Sequence, residues 1–393
     1  MSSSPASGVN LDAVRDHNTA LVLALVRRSG ELSRVEVAER VGLTGQAISK
    51  IISRLLADGL VREARREVHG RGKPRTMLRL VGPARHALGA HIDRDELRLV
   101  LVDLTGEIVD RRVRAYDSTP LRPETAVAML AGMVAELVAE RAPAEVTGLG
   151  IGLPGPLDHA TGTVLGATHL PGWDEVPLAE LAAKSTGLPV LVDKDTNAAI
   201  LAENWDRGDT LNDAALVYVG TGIGAGLVLG GRVHRGARTN AGEFGHTTLR
   251  VDGPLCACGR RGCVEALCGP ATVGVARSLD EAVVWTPEAG ARFTEICAAA
   301  RAGDADATRE LSSAARLLGV AAADLVALLD IDVVLLGGRA LRDCSEIYLA
   351  EVARALHEQE GESVHVALAD LDPDQVAAGA ARLVLARTHY ATQ

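Results

Sequence analysis

The amino-acid sequence predicts an α/β protein that carries an N-terminal winged helix-turn-helix. Within the first 85 residues, two capped helical segments are followed by a hairpin-like segment with a basic tip. The rest of the chain alternates strand-like and helical stretches, as α/β domains do. Residues 1–85 hold 15 Lys and Arg against 8 Asp and Glu, whereas the whole chain has a net charge of −10. A basic segment on an acidic body is typical of a DNA-binding domain joined to a ligand-binding domain.

Length and composition limit the class of protein. A chain of 393 residues is too long for one ordinary core, so we expect two or three domains. No apolar run is long and uncharged enough to cross a bilayer, and the N-terminus lacks a secretory signal pattern. We therefore expect a cytoplasmic protein without a membrane partner, whose six cysteines stay reduced or bind metal. Residues 1–14 are expected to form a disordered tail.

Helix-start signals define the predicted DNA-binding domain, residues 15–82. A helical pattern begins near His17. Ser33 followed by Glu36 forms a capping box that starts a second helix. Thr44 can cap a third helix, whose apolar residues recur at helical spacing and form one face. Two helices joined by a short glycine-containing turn are typical of a helix-turn-helix.

The polar face of the third helix is the candidate surface for reading DNA. The side chains selected for base and phosphate contacts are those of Thr44, Gln46, Ser49 and Lys50. A hairpin with a basic, glycine-containing tip follows and is typical of a wing. The wing residues expected to contact phosphate or enter a minor groove are Arg71, Lys73 and Arg75. The alternative is a three-helix packing element without a DNA partner.

A histidine and three cysteines form a candidate metal site. His246, Cys256, Cys258 and Cys263 offer the nitrogen and sulfur ligands that suit tetrahedral zinc. Two glycines between Cys258 and Cys263 allow the backbone to turn tightly. With four protein ligands the site would be closed and structural, so Zn²⁺ is the expected cofactor. Disulfides or free thiols are the alternative, and disulfides would need an oxidising compartment.

The same stretch carries a resemblance to a known family. Gly-Glu-Phe-Gly-His at residues 242–246 is followed by Cys-x-Cys-Gly-x-x-Gly-Cys-x-Glu at residues 256–265. This pattern resembles the signature of the ROK family, which comprises repressors, open reading frames and sugar kinases. The resemblance spans roughly residues 15–390. It implies a two-lobed, actin-like sugar-kinase (ribonuclease H-like) fold over residues 83–393, with a structural zinc loop at residues 242–265.

The resemblance also implies which residues contact a sugar between the lobes. Asp195 matches the position of the catalytic base of the family kinases, and Lys194 replaces an Asn that contacts the sugar there. Lys194 either pairs with Asp195, which would lower the basicity of that carboxylate, or faces an anionic ligand. The implied ligand-binding residues are Gly155, Lys194, Asp195, Glu243, His246 and Glu265.

One segment departs from the family kinases. Their phosphate loop, Asp-x-Gly-Gly-Thr, corresponds here to His-Ile-Asp-Arg-Asp at residues 91–95. A phosphate loop needs glycine so that backbone N–H groups can approach the anion, and added carboxylates repel it. ATP is therefore not expected as a cofactor, and enzyme activity is not expected. Asp195 and the glycine-rich residues 220–226, which resemble a second phosphate loop, keep an ATP-dependent sugar kinase or a bifunctional protein as the alternative.

Together these inferences predict a sugar-responsive transcriptional regulator, a repressor of carbohydrate metabolism. Its expected partners are operator DNA and a sugar or sugar derivative bound in the cleft. A homodimer or homotetramer is expected, because one helix-turn-helix buries too little surface for specific binding.

Overall fold

The structure is a computed structural model that describes residues 11–67, 75–116, 121–167, 170–275, 279–361 and 363–390. The N-terminal part forms a small domain. Its helices are α1 (Leu11–Ser29), α2 (Arg34–Val41) and α3 (Gly45–Ala57). Its strands are β1 (Leu32–Ser33), β2 (Val61–Glu67) and β3 (Arg75–Leu80), with β3 in the middle of the sheet. Because α1 begins at Leu11, residues 11–14 are helical and do not belong to the expected disordered tail.

Local sequence signals explain where α2 and α3 begin. Ser33 accepts a hydrogen bond from the backbone N–H of Glu36, and the Glu36 carboxylate accepts one from the backbone N–H of Ser33 at 2.8 Å. The predicted capping box is therefore present. Gly42 ends α2 in the left-handed conformation, with φ of 72°. The Thr44 hydroxyl accepts from the backbone N–H of Ala47, which caps α3 as expected.

Helix α3 buries one face and exposes the other. Its buried residues are Ile48, Ile51, Ile52 and Leu55. Strands β2 and β3 form the predicted wing hairpin, in which Val61 lies opposite Leu80 and Glu67 lies opposite Arg75. The tip of the wing lies outside the described residues, and so do Arg71 and Lys73.

The first lobe of the body contains a five-stranded sheet. The strands of this lobe are β4 (His86–Ile92), β5 (Glu96–Asp103), β6 (Ile108–Ala115), β7 (Val146–Leu153), β8 (Leu157–Asp158), β9 (Thr163–Val164) and β10 (Val190–Lys194). Strands β8 and β9 form a separate hairpin, and the others have the order β10-β7-β4-β5-β6. Strands β4, β5 and β6 are antiparallel, and β7 and β10 run parallel to β4. The helices of the lobe are α4 (Pro123–Arg141), α5 (Leu178–Thr186) and α6 (Asp195–Asp206).

The second lobe repeats this arrangement. Its strands are β11 (Ala214–Val219), β12 (Ile223–Leu229), β13 (Arg232–Val233), β14 (Val333–Gly337) and β15 (His365–Leu368). Their order is β13-β12-β11-β14-β15, with β11 antiparallel to β12 and parallel to β14. In both lobes the first strand is central, with antiparallel strands on one side and parallel strands on the other. The duplicated, two-lobed fold that the resemblance implies is therefore confirmed.

The helices of the second lobe pack on its sheet. They are α7 (Val264–Cys268), α8 (Pro287–Arg301), α9 (Ala305–Leu329) and α10 (Ser345–Glu360). Among the described residues, α9 alone has the length and apolar composition of a membrane-spanning helix, and half of its most apolar window is buried. Leu311 and Leu318 of α9 are fully buried in the core of the lobe. Its apolar character is thus explained by packing against the sheet and α10.

Helices α6 and α11 (Gln375–His389) pack together between the lobes. Small residues allow α11 to lie directly on the sheet of the first lobe. A Cβ atom at Gly150 would lie 1.9 Å from the carbonyl oxygen of Ala380, so only glycine fits there. A Cβ atom at Gly379 would lie 1.8 Å from the carbonyl oxygen of Ala198 on α6. These close approaches fix α6 against α11.

The N-terminal domain and the first lobe share one hydrophobic core, to which α1, α3, β3, β5, α6 and α11 contribute. A buried arginine strengthens the junction. Arg27 of α1 pairs with Asp209, and its Cζ lies 3.7 Å from the centre of the Trp205 ring. Tyr390 packs edge-on against Trp205, with ring centres 5.3 Å apart, and Trp205 Nε1 donates to the carbonyl oxygen of Thr105 at 3.0 Å. The domain is therefore held at the C-terminal end of α6.

Candidate functional site

A cleft of about 60 Å³ contains all six residues that the resemblance assigns to the sugar. The end of β10 and the start of α6 contribute to it, as do the turn after β11 and the segment that carries the cysteines. The assigned residues that line the cleft are Gly155, Lys194, Asp195, Glu243, His246 and Glu265. The fold thus gathers residues from distant parts of the chain into one cavity.

Lys194 forms an ion pair that the sequence did not predict. Its Nζ donates to Glu243 Oε1 at 2.5 Å and to the carbonyl oxygen of Ala241 at 3.0 Å. The Lys194 side chain is 3% exposed and that of Glu243 is 34% exposed, so the ammonium group is buried and the carboxylate is partly accessible to water. Gly155 lies against this pair, since a Cβ atom there would be 3.4 Å from Glu243 Oε1. The ammonium group is therefore bonded to Glu243, not to Asp195, and is already neutralised.

Asp195 begins α6, where its carboxylate accepts from the backbone N–H of Thr196 at 2.7 Å. Burial raises the pKa of Asp195, while the nearby His91 and Lys194 act to lower it. The net shift is upward, so the effect of Lys194 on basicity is present but smaller than that of burial. A carboxyl group in this position can accept from or donate to a ligand hydroxyl.

Residues 91–95, which replace the phosphate loop of the family kinases, bind an arginine of the second lobe. They form the end of β4 and the turn into β5. Arg339, which follows β14, lies 2.7 Å from Asp95 Oδ1, 3.2 Å from Asp93 Oδ2 and 3.2 Å from Glu96 Oε1. Burial lowers the pKa of Arg339, but the carboxylates outweigh it and raise that pKa overall. We call these four residues the Arg339 cluster; it joins the first lobe to the second.

Several cleft residues were not selected from the sequence. They are His91, Asp93, Thr196, Tyr218 and Thr221. His91 Nε2 and Thr196 Oγ1 are buried and have no hydrogen-bond partner within the described part of the chain. The sequence contained a signal that both residues lie near the ligand site, because His91 belongs to the altered loop and Thr196 directly follows Asp195. In the sequence, His91 indicated a loss of phosphate binding and was not predicted as a ligand contact.

The four predicted metal ligands converge. The ligand atoms of His246, Cys256, Cys258 and Cys263 all lie within 4.8 Å of one another. Cys256 Sγ is 3.6 Å from His246 Nδ1, and Cys258 Sγ is 3.7 Å from Cys263 Sγ. Tetrahedral zinc, with Zn–S of about 2.3 Å and Zn–N of about 2.0 Å, requires edges of about 3.8 Å and 3.5 Å. The cluster therefore has the dimensions to hold such an ion.

The three cysteines of the cluster form no disulfide, and their surroundings suit metal binding. The sulfur atoms of Cys258 and Cys263 are 3.7 Å apart, which is too long for a disulfide of about 2.05 Å. Although burial acts to raise it, hydrogen bonds from Arg260 lower the pKa of Cys258. His246 also lines the cleft, so the cluster and the cavity share a residue.

The predicted DNA-reading residues lie on the outer face of α3 and on the wing. Thr44, Gln46 and Lys50 are exposed, and Ser49 is half-buried. The Thr44 oxygen caps α3, which leaves its hydroxyl proton to donate outward. Arg75 is exposed at the start of β3. These side chains are accessible from the solvent side of the domain.

Comparison with known families decides the assignment. Residues 87–387 match the ROK family, which is most of the body and more than half of the chain. The chain belongs to the ROK family. Residues 16–72 separately match the MarR family, in agreement with the winged helix-turn-helix of this ROK protein.

Individual relatives of this ROK protein differ in how much of it they cover. The xylose repressor of Caldicellulosiruptor bescii is 26% identical over 362 residues, which are 89% of this chain and 90% of that protein. The structure of a ROK family transcriptional regulator, a homologue of the E. coli MLC protein, has a TM-score of 0.77 at 25% identity and covers 95% of this chain and 96% of its own. The glucokinase of Halalkalibacterium halodurans is 29% identical over 269 residues, or 64% of this chain and 79% of that protein.

The two regulators match this ROK protein over almost its full length, whereas the glucokinase match covers less than two thirds of it. The predicted family, the fold class and the class of function, a DNA-binding transcriptional regulator, are therefore confirmed.

Proposed function

We propose that this ROK protein represses genes of sugar metabolism and is released from its operator when a sugar binds in the cleft. The repressor name of the relative from Caldicellulosiruptor supports this proposal. Helix α3 would read base edges, and the wing would contact phosphates. The proposed DNA contacts are Thr44, Gln46, Ser49, Lys50, Arg71, Lys73 and Arg75. The proposed sugar contacts are Gly155, Lys194, Asp195, Glu243, His246 and Glu265.

The observation that carries this proposal is the path of α6. The helix has 12 residues and is therefore about 18 Å long. Asp195 at its N-terminus lines the cleft, and Trp205 near its C-terminus stacks under Arg27 of the DNA-binding domain. A ligand that moves α6 relative to the lobes changes the surface on which the domain rests. In a dimer, such a shift alters the distance between the two reading helices and hence the match to the half-sites.

The metal cluster would hold Zn²⁺ in a structural role. The donor set of one imidazole and three thiolates and the measured separations support this choice. Bound zinc fixes the loop that carries Glu243 and His246, because the binding free energy of a structural metal contributes to folding. Arg260 would offset the negative charge of the thiolates.

An ATP-dependent sugar kinase is the second candidate, and Asp195 at the cleft favours it. The Arg339 cluster weighs against it. Two carboxylates of residues 91–95, those of Asp93 and Asp95, pair with Arg339 of the second lobe. A nucleotide phosphate at this position would instead need free backbone N–H groups and little negative charge. We therefore propose that the cleft binds a sugar without phosphorylating it.

The test begins with DNA that the purified protein selects from a random library. Fluorescence anisotropy then measures operator affinity with D-xylose, D-glucose, N-acetyl-D-glucosamine or no sugar, each with and without ATP and magnesium. We expect one neutral sugar to weaken operator binding and ATP to have no effect. Failure to select any sequence would contradict the regulator. Sugar-dependent ATP consumption would establish the kinase.

A further inference from the structure

The cleft contains two buried polar atoms that have no hydrogen-bond partner in the described part of the chain. His91 is 4% exposed and Thr196 is 3% exposed, yet neither His91 Nε2 nor Thr196 Oγ1 has a hydrogen-bond partner within the described residues. Both residues line the cleft. Leaving a buried polar group without a partner costs about 1–3 kcal/mol, so such atoms are rare in native proteins unless a ligand or water satisfies them.

Most other polar groups around the cavity already have partners. Lys194 pairs with Glu243. Arg339 pairs with Asp93 across the lobes. Glu265 accepts a hydrogen bond from a backbone N–H at the start of β12, at 2.8 Å. The unsatisfied atoms are therefore concentrated where β4 ends and α6 begins, beside the carboxylate of Asp195.

We propose that His91 and Thr196 are specificity-determining contacts that bind hydroxyl groups of an uncharged sugar. This inference rests on the proposed function, since it assigns the chemistry of the same cleft. A hydroxyl group both donates and accepts, so it can satisfy the Thr196 hydroxyl and either tautomer of His91. An adjacent hydroxyl of the same sugar reaches the Asp195 carboxyl group.

The charges around the cavity define the ligand class further. Four carboxylates line it, those of Asp93, Asp195, Glu243 and Glu265, and of these Glu243 is paired with Lys194 and Asp93 with Arg339. Because Lys194 is already paired, it does not offer an uncompensated positive charge to an anion. A phosphate or carboxylate on the ligand would add negative charge to a buried, acidic site. Sugar phosphates and sugar acids are therefore excluded from this end of the cleft.

The test uses substitutions that remove the polar atom and keep the bulk of the side chain, namely Thr196→Val and His91→Leu. In the unliganded protein each variant loses an unsatisfied polar group, so its melting temperature stays equal to or above that of the wild type. A residue with a purely structural hydrogen bond would behave in the opposite way. The matched control is His86→Leu, because His86 lies on the same strand, is buried and has an unpartnered Nδ1 among the described residues, but does not line the cleft.

The affinity of each protein for D-xylose, D-glucose, D-glucose 6-phosphate and D-glucuronate is measured by calorimetric titration of the full chain. We expect the wild type to bind a neutral sugar and neither anionic one. Each cleft variant should bind that sugar about three- to tenfold more weakly, as expected for one lost hydrogen bond, whereas the control binds like the wild type.

The outcomes separate this inference from the proposed function. If the wild type binds a neutral sugar and both cleft variants bind it with the same affinity, the inference is overturned and the proposed function is not. A preference of the wild type for D-glucose 6-phosphate or D-glucuronate would have the same consequence. A wild type that binds none of these sugars, with operator binding unaffected by any of them, would overturn both the inference and the sugar-responsive function.

Discussion

The guanidinium carbon of Arg27 lies 3.7 Å from the centre of the Trp205 ring. Arg27 belongs to the first helix of the DNA-binding domain, and Trp205 belongs to α6, which begins in the cleft. Burial lowers the pKa of Arg27, and the nearby Asp209 acts to raise it. The contact is therefore a shielded cation–π pair with a counter-ion, which is stronger than one on the surface.

Replacing Arg27 with alanine should loosen the DNA-binding domain from the body. The variant loses the contact with Trp205 and the ion pair with Asp209. We expect a loss of about 2 kcal/mol in the free energy of unfolding, and a weaker effect of sugar on operator affinity. Urea denaturation and operator titration with and without sugar measure the two effects.

The matched control for that variant is Arg28→Ala. Arg28 pairs with the same Asp209 at 2.6 Å, but its side chain is 44% exposed. An exposed ion pair contributes about 0.5 kcal/mol, so stability and sugar response should stay close to those of the wild type. Equal losses in both variants would show that charge alone, without the stacking on Trp205, holds the domain.

Asp195→Asn should stabilise the unliganded protein at neutral pH. Burial raises the pKa of Asp195, so the folded state binds its proton more tightly than the unfolded state does. Stability therefore falls as pH rises from the ordinary aspartate pKa of about 3.9 through the raised value, and the penalty persists above it. The variant lacks this penalty, and its advantage in melting temperature should vanish in acid.

Asp193→Asn is the control, and its melting temperature should change in the opposite direction. Asp193 accepts from Arg235 Nε at 2.7 Å and from Asn197 at 2.8 Å, so the substitution breaks an ion pair. The Asp193→Asn variant should therefore melt at a lower temperature than the wild type at neutral pH. If Asp195→Asn also melts at a lower temperature than the wild type, the surroundings of Asp195 stabilise its carboxylate, contrary to the prediction.

Cys258→Ser should abolish metal binding and loosen the cleft. The wild type is expected to carry one zinc per chain, and the variant none, by elemental analysis. Because the same loop carries His246 and Glu243, the variant should also lose its response to sugar. Cys297→Ser is the control, since Cys297 is buried in α8 outside the cluster. Full sugar response in metal-free Cys258→Ser would refute the structural role of the metal.

Lys50→Ala should weaken operator binding and reduce its dependence on salt. One lost phosphate contact lowers the slope of log affinity against log salt concentration by about one. Arg354→Ala on the exposed face of α10 serves as the control, because it removes one positive charge from a helix of the second lobe. An unchanged slope in the Lys50 variant would place this side chain away from DNA.

Arg339→Ala should destabilise the junction of the two lobes. The variant leaves Asp93 and Asp95 close together without their shared cation. We expect a loss of about 2 kcal/mol by urea denaturation, because breaking a shielded ion pair costs more than breaking an exposed one. Restoration of stability by Asp95→Ala in the same chain would confirm repulsion as the cause, and a further loss would contradict it.

Local signals in the sequence were sufficient for the helices of the N-terminal domain, whereas the two-lobed fold of the body was implied by the family resemblance. The capping box of Ser33 and Glu36 and the cap at Thr44 act within one helical turn, so the sequence alone locates them. The convergence of the four candidate metal ligands was also predictable, because three of them lie in one short segment. The six assigned ligand-binding residues of the cleft could be predicted only from the family resemblance, since they come together only in the folded chain.

Partners that are distant in the sequence could not be predicted. Lys194 pairs with Glu243, 49 residues away, and nothing near Lys194 in the chain indicates that choice. Likewise, Arg339 lies 244 residues from Asp95. Such pairs depend on the packing of the two lobes. The absence of a hydrogen-bond partner for His91 Nε2 and Thr196 Oγ1 among the described residues could not be predicted for the same reason, because it depends on the folded surroundings of each atom.

The common core of the DNA-binding domain and the first lobe has a consequence for the construction of biosensors. A domain that rests on Trp205 and Tyr390 cannot simply be transplanted as a cassette onto another sugar-binding protein. Without the receiving surface, its apolar underside would be exposed and prone to aggregation. A working chimera must include the C-terminal ends of α6 and α11 together with the DNA-binding domain, so that the contacts of the domain with Trp205 and Tyr390 are kept.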